Sequence, residues 1–341
     1  MKNFFALTLR NFALTLCWLS LAFSAHSQET YTLKFATLAP QGSTWMNIIS
    51  DWSKQVEKES QGRLRFKLYP GGVSGDEPDV LRKIRFGQLH GAAFTGHGIG
   101  HIYSPARIFE IPYLFRDVQE IDTVRAQFMP EIEAGFRKND YELLGWMEVG
   151  FLRFFSKNPI RTFDDLKKSR IWLWQGDPVG IALFNASGIS PVPLPLADVY
   201  TSLSTGLIDT TIAPPLGAIA FQWFTKTPYM SDIQLSNGIG GLLVSRSFFT
   251  KLPDDLQALL LKTGKQTSAR LITETRRDNE KSLTVLRQNG IKSTLAWKDV
   301  DEKELYALRD RAAAELIQSG YLPGEMVERI RRAIIAARSK K

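Results

Sequence analysis

The sequence predicts an α/β protein with one long helix near its end. Three observations lead there. The chain has 341 residues, enough for one large domain or for two lobes around separate cores. Residues 31–69 read as strand, helix, strand, and parallel strands in that order need a crossover helix. From Pro253 to about Asn289 the helical pattern runs unbroken. About 35 residues at ~1.5 Å each span roughly 50 Å, long enough to back both lobes.

Residues 1–27 come first and read as a secretory signal. Lys2 and Arg10 give a positive start, and Phe12 to Phe23 is an apolar run too short to cross a bilayer. Ala25-His26-Ser27 offers small residues to a peptidase, so cleavage is expected after Ser27 and a periplasmic location follows. Cys17 is the single cysteine, and Leu16 before it is too bulky for a lipoprotein box. The exported chain then has no disulfide, thiol chemistry or Cys-ligated metal.

Tyr31–Ala36 alternates as a first strand, and Ser43 caps a helix from Trp45 to Glu59. Trp45, Ile48, Ile49, Trp52 and Val56 share one face of it. Gly62 ends the helix and Leu64–Tyr69 is the second strand. The glycine-rich run Pro70–Asp76 lacks the Lys and Ser/Thr of a phosphate-cradling loop and reads as a turn before a helix from Glu77 to Phe86. Gly91–Thr95 is a buried strand running into Gly96–His101. His97 and His101 have the spacing of two zinc ligands on one helix face, but three glycines argue against a helix there and no acidic residue stands near. A loop at a strand's C-terminal end, where α/β clefts form, is expected instead, with no metal. A helix follows from about Val118 to Asn139. Glu148–Ser156 reads as a strand crossing into the second lobe, with Glu148 and Arg153 near the expected cleft. Alternation alone leaves their facing open.

Residues 163–215 are the most informative run. Asp164-Asp165-Leu166 opens a turn, and Arg170–Trp174 alternates as a strand rich in β-branched and aromatic residues. Asp177-Pro178 starts a helix as N-cap and first position, and Gly188 closes it. A second helix runs from about Ala197 to Thr205 and stops at Gly206, followed by a strand over Leu207–Ala213. Beyond it, Gly217 to Lys226 starts helical with Phe221 and Trp223, and Tyr229–Asp232 and Gly240–Ser245 return the chain to the first lobe. The long helix follows, with Gly264 as a weak point, and a last basic helix from about Pro323 is expected on the second lobe.

Asp165-Leu166-Lys167, Pro193-Leu194-Pro195-Leu196 with Asp198-Val199-Tyr200, and Thr205-Gly206-Leu207-Ile208-Asp209 occur in one order. This set resembles the extracytoplasmic solute-binding proteins of tripartite ATP-independent periplasmic (TRAP) transporters, the DctP-like family. Phe109-Glu110-Ile111-Pro112-Tyr113-Leu114-Phe115 and the glycine-rich turn resemble family segments in the same places. The resemblance implies a two-lobed, type II-like periplasmic-binding-protein fold, each lobe a mixed sheet flanked by helices, with the long helix backing both lobes. Lobe one would hold residues 28–149 plus about 242–270, lobe two 150–241 plus about 271–335, and 336–341 a basic tail. It also implies capture of a small molecule by hinge closure, delivery to the membrane permease subunits, no cofactor and no catalysis.

Two departures shape the ligand expectation. Where the family usually carries a carboxylate-pairing arginine, this chain aligns Trp172, and where an asparagine usually precedes a proline, it has Ala213. An arginine–carboxylate fork is strong and directional, and neither replacement supplies it. The expected ligand is therefore apolar or weakly polar. The same changes resemble a subgroup working with a periplasmic tetratricopeptide-repeat partner. Trp45, Phe94, Trp172, Trp174 and Trp223 would form apolar walls, with His97, Gln175, Asp177, Ala213 and Pro215 beside them. A small organic acid anchored by Arg153 or Arg170 is the alternative.

The full sequence carries a formal charge of +8; without residues 1–27 it has 41 basic against 35 acidic residues. No basic run is interleaved with aromatics, so nucleic-acid binding is not expected. A secreted enzyme on the same fold would need a nucleophile–base pair or a metal. His97, His101 and Asp177 are its best candidates, and they match no catalytic motif.

Overall fold

The structure is a computed structural model describing residues 29–296 and 300–339; the signal segment, Cys17 and Lys340-Lys341 lie outside them. In chain order the elements are β1 (Tyr31–Thr37), α1 (Thr44–Glu59), β2 (Leu64–Tyr69), α2 (Glu77–Arg85), β3 (Gly91–Thr95), α3 (Gly96–Ile102), a 3-10 turn (Ser104–Glu110), α4 (Val118–Lys138), β4 (Tyr141–Phe151) and β5 (Arg153–Ser156). Then come α5 (Phe163–Lys168), β6 (Trp172–Trp174), α6 (Pro178–Ser187), β7 (Val192–Leu194), α7 (Val199–Thr205), β8 (Thr210–Ala213), α8 (Pro215–Ala220), β9 (Tyr229–Ser231) and β10 (Asn237–Ser245). α9 (Arg246–Phe249), α10 (Asp254–Gln288), β11 (Lys292–Thr294), α11 (Glu302–Gln318) and α12 (Gly324–Arg338) complete the chain.

The first lobe is built on a five-stranded sheet in the order β2-β1-β3-β10-β4. β1 pairs parallel with β2 and β3, while β10 runs antiparallel to β3 and β4, so the sheet is mixed. The second lobe holds a four-stranded sheet, β11-β9-β5-β8, and the parallel pair β6-β7. β4 and β5 are nearly continuous, with only Leu152 between them, so one extended segment enters both lobes. The 35-residue helix α10 has its front turns in the first core through Leu256 and Leu260 and its end in the second through Leu286. It backs both lobes.

Local chemistry explains most boundaries. The Ser43 side chain accepts from the Met46 N–H at the start of α1, whose buried face includes Trp45, Ile48, Ile49, Trp52 and Val56. Asp177 caps α6, Pro178 takes the first position, and Gly188 closes the helix at φ 67°. Gly264 is less a weak point of α10 than a contact point. A Cβ there would lie 2.7 Å from the Leu144 carbonyl oxygen of β4. Gly264→Ala would gain up to ~1 kcal/mol of helix propensity. The expected net result is still a loss of about 1–3 kcal/mol, because a strand backbone cannot step aside; the midpoint of chemical denaturation measures it.

Several elements differ from expectation. Gly96–Ile102 is a helix, not a loop. Its glycines are there for close approach: a Cβ at Gly96 would run into the Glu110 carboxylate, at Gly98 into the Phe94 ring, and at Gly100 into the Tyr321 hydroxyl. Buried Glu77 secures its start, accepting from the Thr95 N–H at 2.6 Å and the Gly98 N–H at 2.5 Å. Residues 163–168 are a short helix with a capping box between Thr162 and Asp165, not a turn. The strand expected over Leu207–Ala213 starts only at Thr210, and β7, which contains Pro193, was not foreseen. β9 stays in the second lobe's sheet. The last helix packs on α4 of the first lobe, not the second, with Arg338 paired to buried Glu120 and Arg329 to Glu131. Arg338, inside the range expected as a basic tail, thus belongs to a docked helix.

Candidate functional site

A cavity of about 200 Å³ lies between the lobes. Lobe one supplies Leu38, Trp45, His97, Arg107, Glu110 and Val149; lobe two supplies Trp172, Trp174, Asp177, Ala213, Phe221 and Trp223. The ends of strands and the starts of helices deliver these groups. His97 sits in the first turn of α3, Trp172 and Trp174 on β6, and Asp177 at the cap of α6.

The aromatic wall is continuous. Trp172 meets Trp223 edge-on at 5.3 Å and Trp174 at 5.8 Å, and Phe221 stacks on Trp223 at 5.2 Å. The Trp172 indole N–H donates to the Leu194 carbonyl at 3.0 Å, which fixes its ring. Across the cleft, the His97 ring stacks on Trp174 at 4.9 Å and 23°. Trp174 also donates its indole N–H to the Asp76 carboxylate of lobe one at 2.9 Å, and Asp76 accepts from the Leu196 N–H as well. The Trp45 indole N–H and both His97 ring nitrogens are buried without a hydrogen-bond partner. Burial pushes the His97 pKa down to about 4, with Asp177 and Asp76 opposing and the Arg107 charge and His101 adding to it. The imidazole is neutral at pH 7.

One charged cluster reaches the cavity. Arg107 is buried; its Nε donates to Glu110 three residues on, and its Nη1 donates to Asp177 of the other lobe at 2.7 Å. The Tyr321 hydroxyl bonds the same guanidinium. Glu110 also accepts from the Ile239 N–H at 2.8 Å. Burial works against the Asp177 carboxylate, yet the Arg107 charge, the hydrogen bonds from Arg107 and the Val179 N–H, and His97 together outweigh it and hold its pKa below the ordinary value. Burial raises that of Glu110, with Arg107 opposing.

Of the eleven residues expected at the site, Trp45, His97, Trp172, Trp174, Asp177, Ala213 and Trp223 line the cavity. Phe94 lies fully buried beneath α3, Gln175 is exposed, and Pro215 is buried as the first residue of α8 behind Pro214. Arg153 turns away: its guanidinium donates to the backbone carbonyls of Ser231 and Asp232. Arg170 is an exposed partner of Asp209 at 3.2 Å. Neither lines the cavity, so the two anchors expected for a ligand acid are not in its wall. Glu148 is likewise committed, to Arg276 at 2.8 Å. Arg107 escaped the sequence reading, and Glu110 entered it only within the Phe109–Phe115 segment, with no role at the site. His97 and His101 do share a helix face, ring centroids 5.0 Å apart, but among the described residues no group of three or more His, Cys, Asp or Glu could hold a metal.

Two lobes meet over an aromatic cleft, the arrangement that the family resemblance implies. The family model for bacterial extracellular solute-binding proteins of family 7 (DctP) matches residues 35–315, and the chain belongs to that family, the TRAP solute-binding proteins. It is 22% identical over 287 residues to the 2,3-diketo-L-gulonate-binding periplasmic protein YiaO of Escherichia coli K12, covering 83% of this chain and 85% of that one. Among solved structures it resembles the sugar acid binding protein DctPAm of Advenella mimigardefordensis in complex with galactonate: TM-score 0.82, 19% identity, 91% of this chain and 99% of that one. A TRAP protein of Pseudomonas putida F1 with bound D-glucuronate gives TM-score 0.77, 23% identity and coverage of 88% and 96%. Among the described residues no helix is long and apolar enough to cross a membrane.

Proposed function

We propose that this protein is the exported, periplasmic solute-capturing subunit of a TRAP-type transporter whose cargo is a small neutral, largely apolar molecule. Its lobes close on the cargo, and the closed form is presented to the membrane permease. One observation carries the choice of cargo. Among the described residues, Arg107 is the one guanidinium or ammonium on the cavity wall, and two carboxylates already flank it. His97 beside it is neutral, and the rest of the wall is mostly rings and aliphatic side chains. An incoming carboxylate would meet no unpaired cation, and burying an unpaired ion costs several kcal/mol. A periplasmic tetratricopeptide-repeat partner belongs to the same proposal, tested by co-purification of the two exported proteins.

A second reading keeps the role and makes the cargo an organic acid. It is favoured by what relatives hold, galactonate and D-glucuronate in the two structures above. It would require the acid to displace Asp177 from Arg107. A thermal-shift screen separates the two. Neutral aromatic or aliphatic compounds at 100 times their Kd are expected to add about 2.7 kcal/mol of stability, and sugar acids and dicarboxylates to add none. Stabilisation by acids alone would leave the neutral-cargo reading without support.

A further inference from the structure

Asp177 does two things at once. Its Oδ1 accepts from the Arg107 Nη1–H across the cleft at 2.7 Å and from the Val179 N–H at the start of the ten-residue helix α6 at 3.3 Å. A buried guanidinium and a helix N-terminus are the two features that most readily draw an anion. Here one carboxylate oxygen of the chain itself fills both. We infer that Asp177 is a resident anion, an internal stand-in for a ligand carboxylate that turns the site against acidic solutes. The inference rests on the neutral-cargo reading above and supplies its cause.

The lobe assignment gives the device a second consequence. Arg107 and Glu110 belong to the first lobe and Asp177 to the second, so the Arg107–Asp177 bond completes only when the lobes meet. A protein that closes on an acid can let the ligand's charge bridge the lobes. One that closes on a neutral molecule needs another bridge, and Asp177 provides it. A free acid entering the closed site must take the place of Asp177 and leave that carboxylate in a poorly solvated wall beside Glu110. This cost falls on acids and spares neutral ligands, which is how a site rejects one class without tightening on the other.

Removing the carboxylate while keeping the helix cap tests it. Serine is a good N-cap and small, so Asp177→Ser opens the anion position; asparagine caps equally well and fills the same space without charge. The three exported proteins are titrated with acetate and with pyruvate, following tryptophan fluorescence and heat. Asp177→Ser is expected to bind them at least tenfold more tightly than the unaltered protein does, and Asp177→Asn to show little of that gain. A folded Asp177→Ser with no gain, while the unaltered protein ignores acids, overturns the resident anion and leaves the neutral-cargo reading standing. Tight binding of acids by the unaltered protein overturns both. If Asp177→Ser does not fold, Asp177→Gly, also accepted at a cap, carries the same expectation.

Discussion

Arg107→Met is expected to destabilise the folded protein by about 3–5 kcal/mol, the usual cost of removing one partner from a buried charge cluster. Methionine fills much of the volume, so a cavity is not the cause. The cause is what stays behind: buried Glu110 and half-buried Asp177, both facing the same point, with no cation between them. Part of the loss returns when Glu110 takes up a proton. Burial already raises its pKa, with Arg107 opposing, and removing Arg107 raises it further. A carboxyl whose folded pKa is raised binds its proton more tightly folded than unfolded, so stability falls as pH climbs from its unfolded value through its folded one. The deficit should therefore be smaller at pH 5 than at pH 7. Arg107→Met with Glu110→Gln should recover part of the loss at pH 7. Chemical denaturation at the two pH values measures all of this; a deficit equal at both pH values, unrelieved by the second change, would show that lost packing was responsible.

The elements were legible where local chemistry alone sets them. Ser43 before an apolar-periodic stretch and Asp177-Pro178 with Gly188 carry their own start and stop signals, and the structure has those helices at those residues. Legibility failed where a distant part of the chain decides. Gly96, Gly98 and Gly100 look like helix breakers, yet each marks a place where Glu110, Phe94 or Tyr321 comes too close for a side chain. Propensity costs a glycine about 1 kcal/mol in a helix; a steric collision costs any other residue more. The last helix shows an apolar stripe in sequence, but a stripe does not say which lobe it meets, and Glu120 and Glu131 of α4 decide that.

The site divides the same way. Strand alternation put Trp172 and Trp174 on one face, and the structure has that face in the cavity wall. The facing of Arg153 was not readable, because alternation fixes which residues share a face without saying which face is the cleft. Arg107, Glu110 and Asp177 form a unit only after folding, with seventy positions between Arg107 and Asp177. The neutral-cargo proposal thus rests on two signals of different kinds. The resemblance aligns Trp172 where the family usually carries a cation, and the pairing of Arg107 with two carboxylates appears only in three dimensions.

Trp174→Ala is expected to weaken capture of a neutral naphthylamine probe by about a hundredfold, roughly 2.7 kcal/mol, within the range of truncated aromatic hot spots. Two losses combine. The ring leaves the cavity wall, and the closed arrangement loses both its stack on His97 and its bond to Asp76. When the closed form is less populated, apparent affinity falls by the same fraction. Trp174→Phe keeps a ring over His97 without the N–H, and should fall between. The pH dependence separates the contributions. His97 is held near pKa 4 chiefly by burial, against an ordinary 6.5. The closed form therefore binds fewer protons than a form with that ring in water, so closure is fully favoured above about pH 6.5 and loses ground as pH falls toward 4. Probe affinity of the unaltered protein should drop between pH 7 and pH 5, whereas Trp174→Ala, with His97 uncovered in either state, should show a flatter profile. Fluorescence titration at the two pH values, with small-angle scattering to follow lobe separation, decides it. An equally steep profile in both proteins would mean that the Trp174–His97 stack does not couple protonation to closure.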